Sequence, residues 1–161
     1  MEKLVAPLAY FLTWTTYGTR LHGDSRGTVD DGFNRFGTPF RPPSRALMEY
    51  ERSRLRYEPL RLGLVMRPAV HGAIVDHCRI RGWRLWALNV RTTHVHVVVT
   101  TPSKVTPAVV ENQLKAWGTR RLRESGLVDP LRTVWTTDGS KRQLWNDESL
   151  AAAIDYVLNR Q

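Results

Sequence analysis

The sequence predicts an α+β fold, with helices packed on a largely antiparallel sheet. Three observations predict it. Runs rich in aromatic and β-branched residues recur at 8–17, 83–90, 93–100 and 132–145. Helix-length amphipathic stretches occupy about 66–81, about 107–124 and the end of the chain. The runs 83–90 and 93–100 are joined only by a tight turn near Arg91–Thr92, as antiparallel neighbours are. The order is strand, insertion, helix, strand, strand, helix, short strands, helix. That is close to a ferredoxin-like, RRM-like pattern. The length suits one domain, 1–161.

Each element has a local reason. "LAYFLTWTTY" (8–17) is aromatic and β-branched and reads as the first strand. Residues 18–45, "GTRLHGDSRGTVDDGFNRFGTPFRPPSR", are rich in Gly and Pro without a clean period. They read as a long insertion, of the kind that is functional or disordered. Residues 46–62 are charged and partly helical. Pro68 lies in the first turn of a helix opened by Met66 and stopped by Gly82. Pro102 and Pro107 lead into the next helix, closed by Gly126. "RTVWTTDGSKRQLW" (132–145) reads as two short strands around a hairpin at Asp138–Gly139. Asn146 or Asp147 caps the last helix, "DESLAAAIDYVLNRQ". It reaches Gln161 with no capping residue after it, as a truncated C-terminus would.

The formal net charge is +9, from 24 Lys+Arg against 15 Asp+Glu. Only four of the basic residues are lysines, Lys3, Lys104, Lys115 and Lys141, so arginine dominates. This balance suits a polyanion such as nucleic acid, since Arg binds phosphate bidentately. It is also what an arginine-rich coding bias would give for solubility alone. The single cysteine, Cys78, excludes an internal disulfide and a cysteine-based zinc site. It points to a reducing, cytoplasmic setting and to a small buried thiol. The start, "MEKLVAPLAYFL", is too short and proline-broken for a signal peptide. No segment is apolar enough to span a membrane.

In "RTTHVHVVVT", alternation puts Val95, Val97 and Val99 on one face and His94, His96 and Val98 on the other. The valine face is the natural core face. The two imidazoles project together, about 7 Å apart along the strand by its rise. They read either as two ligands of one divalent metal or as two partly exposed histidines bonded to neighbours. His71 and His77 do not share a helix face, and Cys78 is a poor further ligand.

In the last helix, Ala151, Ile154, Val157 and Leu158 form the expected apolar stripe, with Tyr156 at its edge. The tyrosine reads as a seal on the core rim or as a nucleophile. A phenol with pKa near ~10 attacks phosphorus poorly unless the phosphate is polarised. A metal on His94 and His96 would polarise it, and Asn159, Arg160 or Gln161 would complete the site.

Taken together, "THVHVVVT", "AAIDYVLNRQ" and "FLTWTTYGTRLHGDSRG" resemble the HUH single-strand endonucleases. More narrowly, the chain looks like the single-tyrosine transposases of small insertion sequences and the REP-associated tyrosine transposases. The resemblance covers nearly the whole chain. It implies the HUH endonuclease fold, with Tyr156 attacking single-stranded DNA to form a 5′-phosphotyrosine and release a 3′-hydroxyl. It implies Mg²⁺ or Mn²⁺ on His94 and His96, hairpin or palindromic DNA ends as partners, and a prokaryotic, nucleoid-associated setting. Some such proteins are homodimers that share active sites. The pattern carries Gln or Asn four residues after the tyrosine as third metal ligand. Here that position is Arg160, leaving Gln161, or alternatively Asn159.

Eleven arginines and four acidic residues lie between Arg41 and Arg91. Lys115, Arg120, Arg121 and Arg123 add a basic patch on the second long helix, and Lys141 and Arg142 lie in the expected hairpin. These, with Tyr17 and the loop residues Arg20, His22 and Arg26, are the expected DNA contacts. Most of the tryptophans are expected in the core. Two other readings remain: a DNA-hairpin-binding protein that has lost catalysis, and a metallohydrolase built on His-x-His. The latter lacks an Asp/Glu/His cluster to complete it.

Overall fold

The computed structural model describes residues 5–19 and 44–160. Its elements are β1 (Ala9–Thr16), α1 (Arg45–Ser53), α2 (Met66–Arg81), β2 (Arg84–Val90), β3 (His94–Thr100), α3 (Pro107–Glu124), β4 (Trp135–Leu144) and α4 (Asp147–Asn159). The strands form one sheet in the order β2-β3-β1-β4, antiparallel at every pairing. This is the expected ferredoxin-like α+β arrangement. Two crossovers build it: α2 carries the chain from β1 to β2, and α3 carries it from β3 to β4.

Helix ends follow the local chemistry. Ser44, Thr106 and Asn146 each accept a backbone N–H with the side chain, capping α1, α3 and α4. Asp147 and Glu148 add negative charge to the first turn of α4. Gly82, at φ 70°, ends α2 in the left-handed region. The Trp83 N–H then reaches back to the Cys78 carbonyl at 2.8 Å.

The sheet separates two apolar layers. On one face, Tyr10, Leu12 and Trp14 of β1 and Val95, Val97 and Val99 of β3 pack under α2 and α3 with Val70, Ile74, Val110 and Leu114. Cys78 is buried there, as expected, and burial pushes its thiol up to about 11. Trp14, Trp83 and Trp135 are core residues. His77 is also structural: its Nε2 lies 2.7 Å from Gln113 Oε1, and its ring packs between Trp83 and Trp117. On the other face, Ala9, Ala87, Val98 and Leu144 receive Leu150, Ala153 and Val157 of α4.

Two expectations change. The Asp138–Gly139 pair is not a hairpin. β4 runs through it as one strand, paired with β1 from Leu144 to Gly139 and again at Trp135. The glycine serves close approach. A Cβ there would collide with the Glu111 carboxylate and stand 2.8 Å from the Thr13 carbonyl oxygen. The contact stripe of α4 is Leu150, Ala153 and Val157, with Ile154 half-buried, while Ala151 and Leu158 face solvent. Most of the expected 18–45 insertion, residues 20–43, lies outside the described residues.

Candidate active site beneath the terminal helix

The site is built on β3, which has a partner strand on each side. Alternation places His94 and His96 on the α4 face, opposite the buried valines. Their ring centroids are 4.7 Å apart at 79° between planes. The rings therefore lean together, closer than the strand rise alone implies.

Threonines orient both rings, His96 from the neighbouring strand β1 and His94 from the residue that precedes it. Register pairs Thr13 of β1 and Asn89 of β2 with His96, and Ser140 of β4 with Thr13. A polar row, Ser140–Thr13–His96–Asn89, thus crosses the whole sheet. Thr13 Oγ1 lies 2.9 Å from His96 Nδ1, and Thr93 Oγ1 lies 3.1 Å from His94 Nδ1. With Nδ1 engaged by threonine in each ring, Nε2 is the nitrogen suited to a metal.

Helix α4 brings in the tyrosine. The Asn89 side chain donates to the Val157 carbonyl oxygen at 3.0 Å, tying the last turn of the helix to the His96 row. Tyr156 then meets Phe11 edge-on, with centroids 5.9 Å apart, and His96 at 5.8 Å. It keeps 42% of its surface exposed while His96 keeps 5%. The arrangement is a solvent-reachable phenol over two fixed imidazoles, all from one chain.

A divalent cation fits these residues in part. Two imidazole nitrogens suit Mn²⁺ better than the harder Mg²⁺. Among the described residues, no group of three His, Cys, Asp or Glu stands together. Asn159 donates its amide to Asp155 at 3.0 Å, and Arg160 Nε donates to the other oxygen of the same carboxylate at 2.7 Å. These contacts hold the Asp155 carboxyl below its ordinary range. Arg160 has also left helical geometry, at φ −119° and ψ 17°. Gln161 lies outside the described residues, as do Arg20, His22 and Arg26.

The remaining basic residues divide by face. Lys141 follows the Leu12 side of the sheet, away from the histidines. It joins Lys115 on the buried Glu111 carboxylate, at 3.1 and 2.9 Å. Lys115 also donates to the Thr136 carbonyl oxygen and is itself buried, so it lies inside the domain rather than on a basic surface. Arg121 pairs with Asp76 at 3.0 Å. Arg120 lies over Trp117 and pairs with Glu124, while the Arg123 guanidinium donates to the Arg132 carbonyl oxygen. The Tyr17 hydroxyl accepts the Arg56 N–H at 2.8 Å, and Arg132 lies over the rings of both Tyr17 and Tyr57.

Arg142 takes the opposite face from Lys141. It pairs with Phe11, on the side of Tyr156 and the histidines. Its guanidinium is half-buried, which pushes its pKa down, while the Tyr156 phenol opposes that shift. Phe11, Thr13 and Asn89 were not marked by sequence reading. The signal for Asn89 was an amide inside the apolar run "WALNV", where strands disfavour it.

No protein-family model and no curated protein matches the chain. Solved structures do share its fold. A REP-associated tyrosine transposase bound to a REP hairpin superposes with a TM-score of 0.55 at 13% identity, over 98% of this chain and 68% of that one. A Deinococcus radiodurans R1 protein assigned as a transposase superposes with a TM-score of 0.51 at 18% identity, over 100% of this chain and 98% of that one. The α+β architecture of this chain is thus one on which tyrosine transposases are built.

Proposed function

We propose that this chain is a single-strand DNA transposase that cleaves and rejoins DNA through a covalent 5′-phosphotyrosine on Tyr156. The observation that carries this reading is the exposed Tyr156 phenol, 5.8 Å from the buried His96 ring, which itself adjoins His94. In the reaction the Tyr156 Oη–phosphorus bond forms as the phosphorus–O3′ bond breaks. The phenolic proton leaves to solvent, and the 3′-oxygen takes one up. The ester stays in the protein–DNA link, so rejoining needs no ATP. His94 and His96 would hold Mg²⁺ or Mn²⁺, which when bound draws charge from a phosphate oxygen. A DNA hairpin is the matching substrate, with Tyr17, Arg20, His22, Arg26, Arg120, Arg121 and Arg123 as candidate phosphate or base contacts. Tyr156 meets His96 of its own chain, which supports a site assembled within one protomer.

The test is incubation with a labelled single-stranded hairpin from the flanks of its own gene and Mn²⁺. A covalent adduct should form and vanish in Tyr156→Phe. Absence of any adduct with wild-type protein would sink the enzymatic reading. A second reading, a hairpin-binding protein without catalysis, draws on Arg160 standing at the third-ligand position and on Asn159 being tied to Asp155. It predicts tight hairpin binding that no metal alters.

A further inference from the structure

Phe11 underlies Tyr156, and a different side chain adjoins Phe11 from each neighbouring strand. His96 lies on one side, with centroids 6.0 Å from Phe11 and 5.8 Å from Tyr156. On the other side, register places Arg142 of the edge strand β4 directly across from Phe11. Arg142 and Phe11 share a sheet face, as do Thr13 and His96 in the next row. The adjacent Lys141 points the other way, into Glu111. One basic side chain of β4 is therefore structural and the next belongs to the site.

We propose that Arg142 binds the non-bridging oxygens of the reacting phosphodiester, across the tyrosine from the two histidines. This rests on the phosphotyrosine reading above and extends it. Three features support it. The guanidinium stays charged while half-buried, so its attraction for a phosphate is less screened than that of a surface arginine. Its fork can hold two phosphate oxygens at once. Arg142 shares the sheet face of Phe11, which meets the Tyr156 ring edge-on. As the Tyr156 oxygen joins phosphorus and O3′ leaves, the phosphoryl oxygens gain charge facing Arg142. The guanidinium keeps all its protons throughout, so the proton ledger of the reaction is unchanged.

Two measurements test this. In the first, adduct formation is followed at saturating labelled hairpin with Mn²⁺. Arg142→Gln should slow it by about 100-fold or more, as loss of one donor to a developing oxyanion does. DNA affinity should fall far less than the rate does, by no more than the coupled methylphosphonate costs in the second measurement, and Arg142→Lys should recover part of the rate. In the second, the Tyr156→Phe protein is titrated with hairpins carrying one neutral methylphosphonate at successive positions. One position should weaken binding with Arg142 present and have no further effect with Arg142→Gln. If the adduct forms at a normal rate in Arg142→Gln and no position couples, the Arg142 assignment is wrong. A loss confined to affinity, with coupling only at phosphates away from the cleaved bond, also overturns it. If wild type forms no adduct yet one phosphate couples to Arg142, the phosphate contact stands and the enzymatic reading falls.

Discussion

Asn89 donates its side-chain amide to the carbonyl oxygen of Val157, from the strand position directly beside His96. The acceptor lies in the last turn of α4, where carbonyls lack partners within the helix. This hydrogen bond thus helps tie the turn that carries Tyr156 to the strand row that carries His96. Asn89→Ala should lower stability by about 1 kcal/mol in urea unfolding. It should slow DNA adduct formation by more than the lost folded fraction accounts for. If the rate follows the folded fraction alone, the bond has only a structural role.

Arg160 occupies the place where the resembling pattern carries a metal-binding amide, and it pairs with Asp155 instead. Arg160→Gln should tighten the Mn²⁺ dependence of adduct formation by roughly tenfold, the effect of an added ligand. Arg160→Ala breaks the same ion pair without adding a donor and should leave that dependence unchanged. Equal responses in both variants would show that the ion pair matters rather than the missing ligand.

Gly139 lies against Glu111 and the Thr13 backbone, not in a turn. Gly139→Ala should therefore destabilise by about 2 kcal/mol or more through overpacking. The same change in an open hairpin turn would cost far less. The midpoint of chemical unfolding distinguishes them.

Cys78 gives a pH signature. Its folded pKa of about 11 exceeds the ordinary 9.0, so the native state keeps its proton longer than the unfolded chain. This contribution is complete below pH 9 and is lost as pH rises toward 11, on the order of 2 kcal/mol. Urea unfolding between pH 8 and 11 should show the decline, and Cys78→Ala should flatten it. The native thiol should also resist a thiol-reactive dye at pH 8.

Much of this was legible in the sequence because it is local. The alternation of "HVHVVVT" alone assigns the valines to the core and the histidines to the other face. Pro107, Gly82 and Asn146 mark helix boundaries through their own backbone chemistry. The failures are non-local. Asp138–Gly139 has the composition of a turn, but the reason for the glycine is a carboxylate on α3. Lys115 and Lys141 look like surface charges until Glu111 is seen between them. The stripe of α4 packs on Ala9, Ala87, Val98 and Leu144, a surface its own periodicity does not reveal. Asn89 matters through Val157, 68 residues later.

Strand β3 is clamped on both sides, by β1 and by β2, and its two faces answer to different demands. Moving the ladder by one residue would exchange them, sinking imidazoles into the apolar layer and raising valines under the tyrosine. Anyone redesigning the protein thus has two separate dials on seven consecutive residues. Volume-conserving changes at 95, 97 and 99 adjust how firmly the domain holds together, and changes at 94 and 96 alter the polar face beside Tyr156.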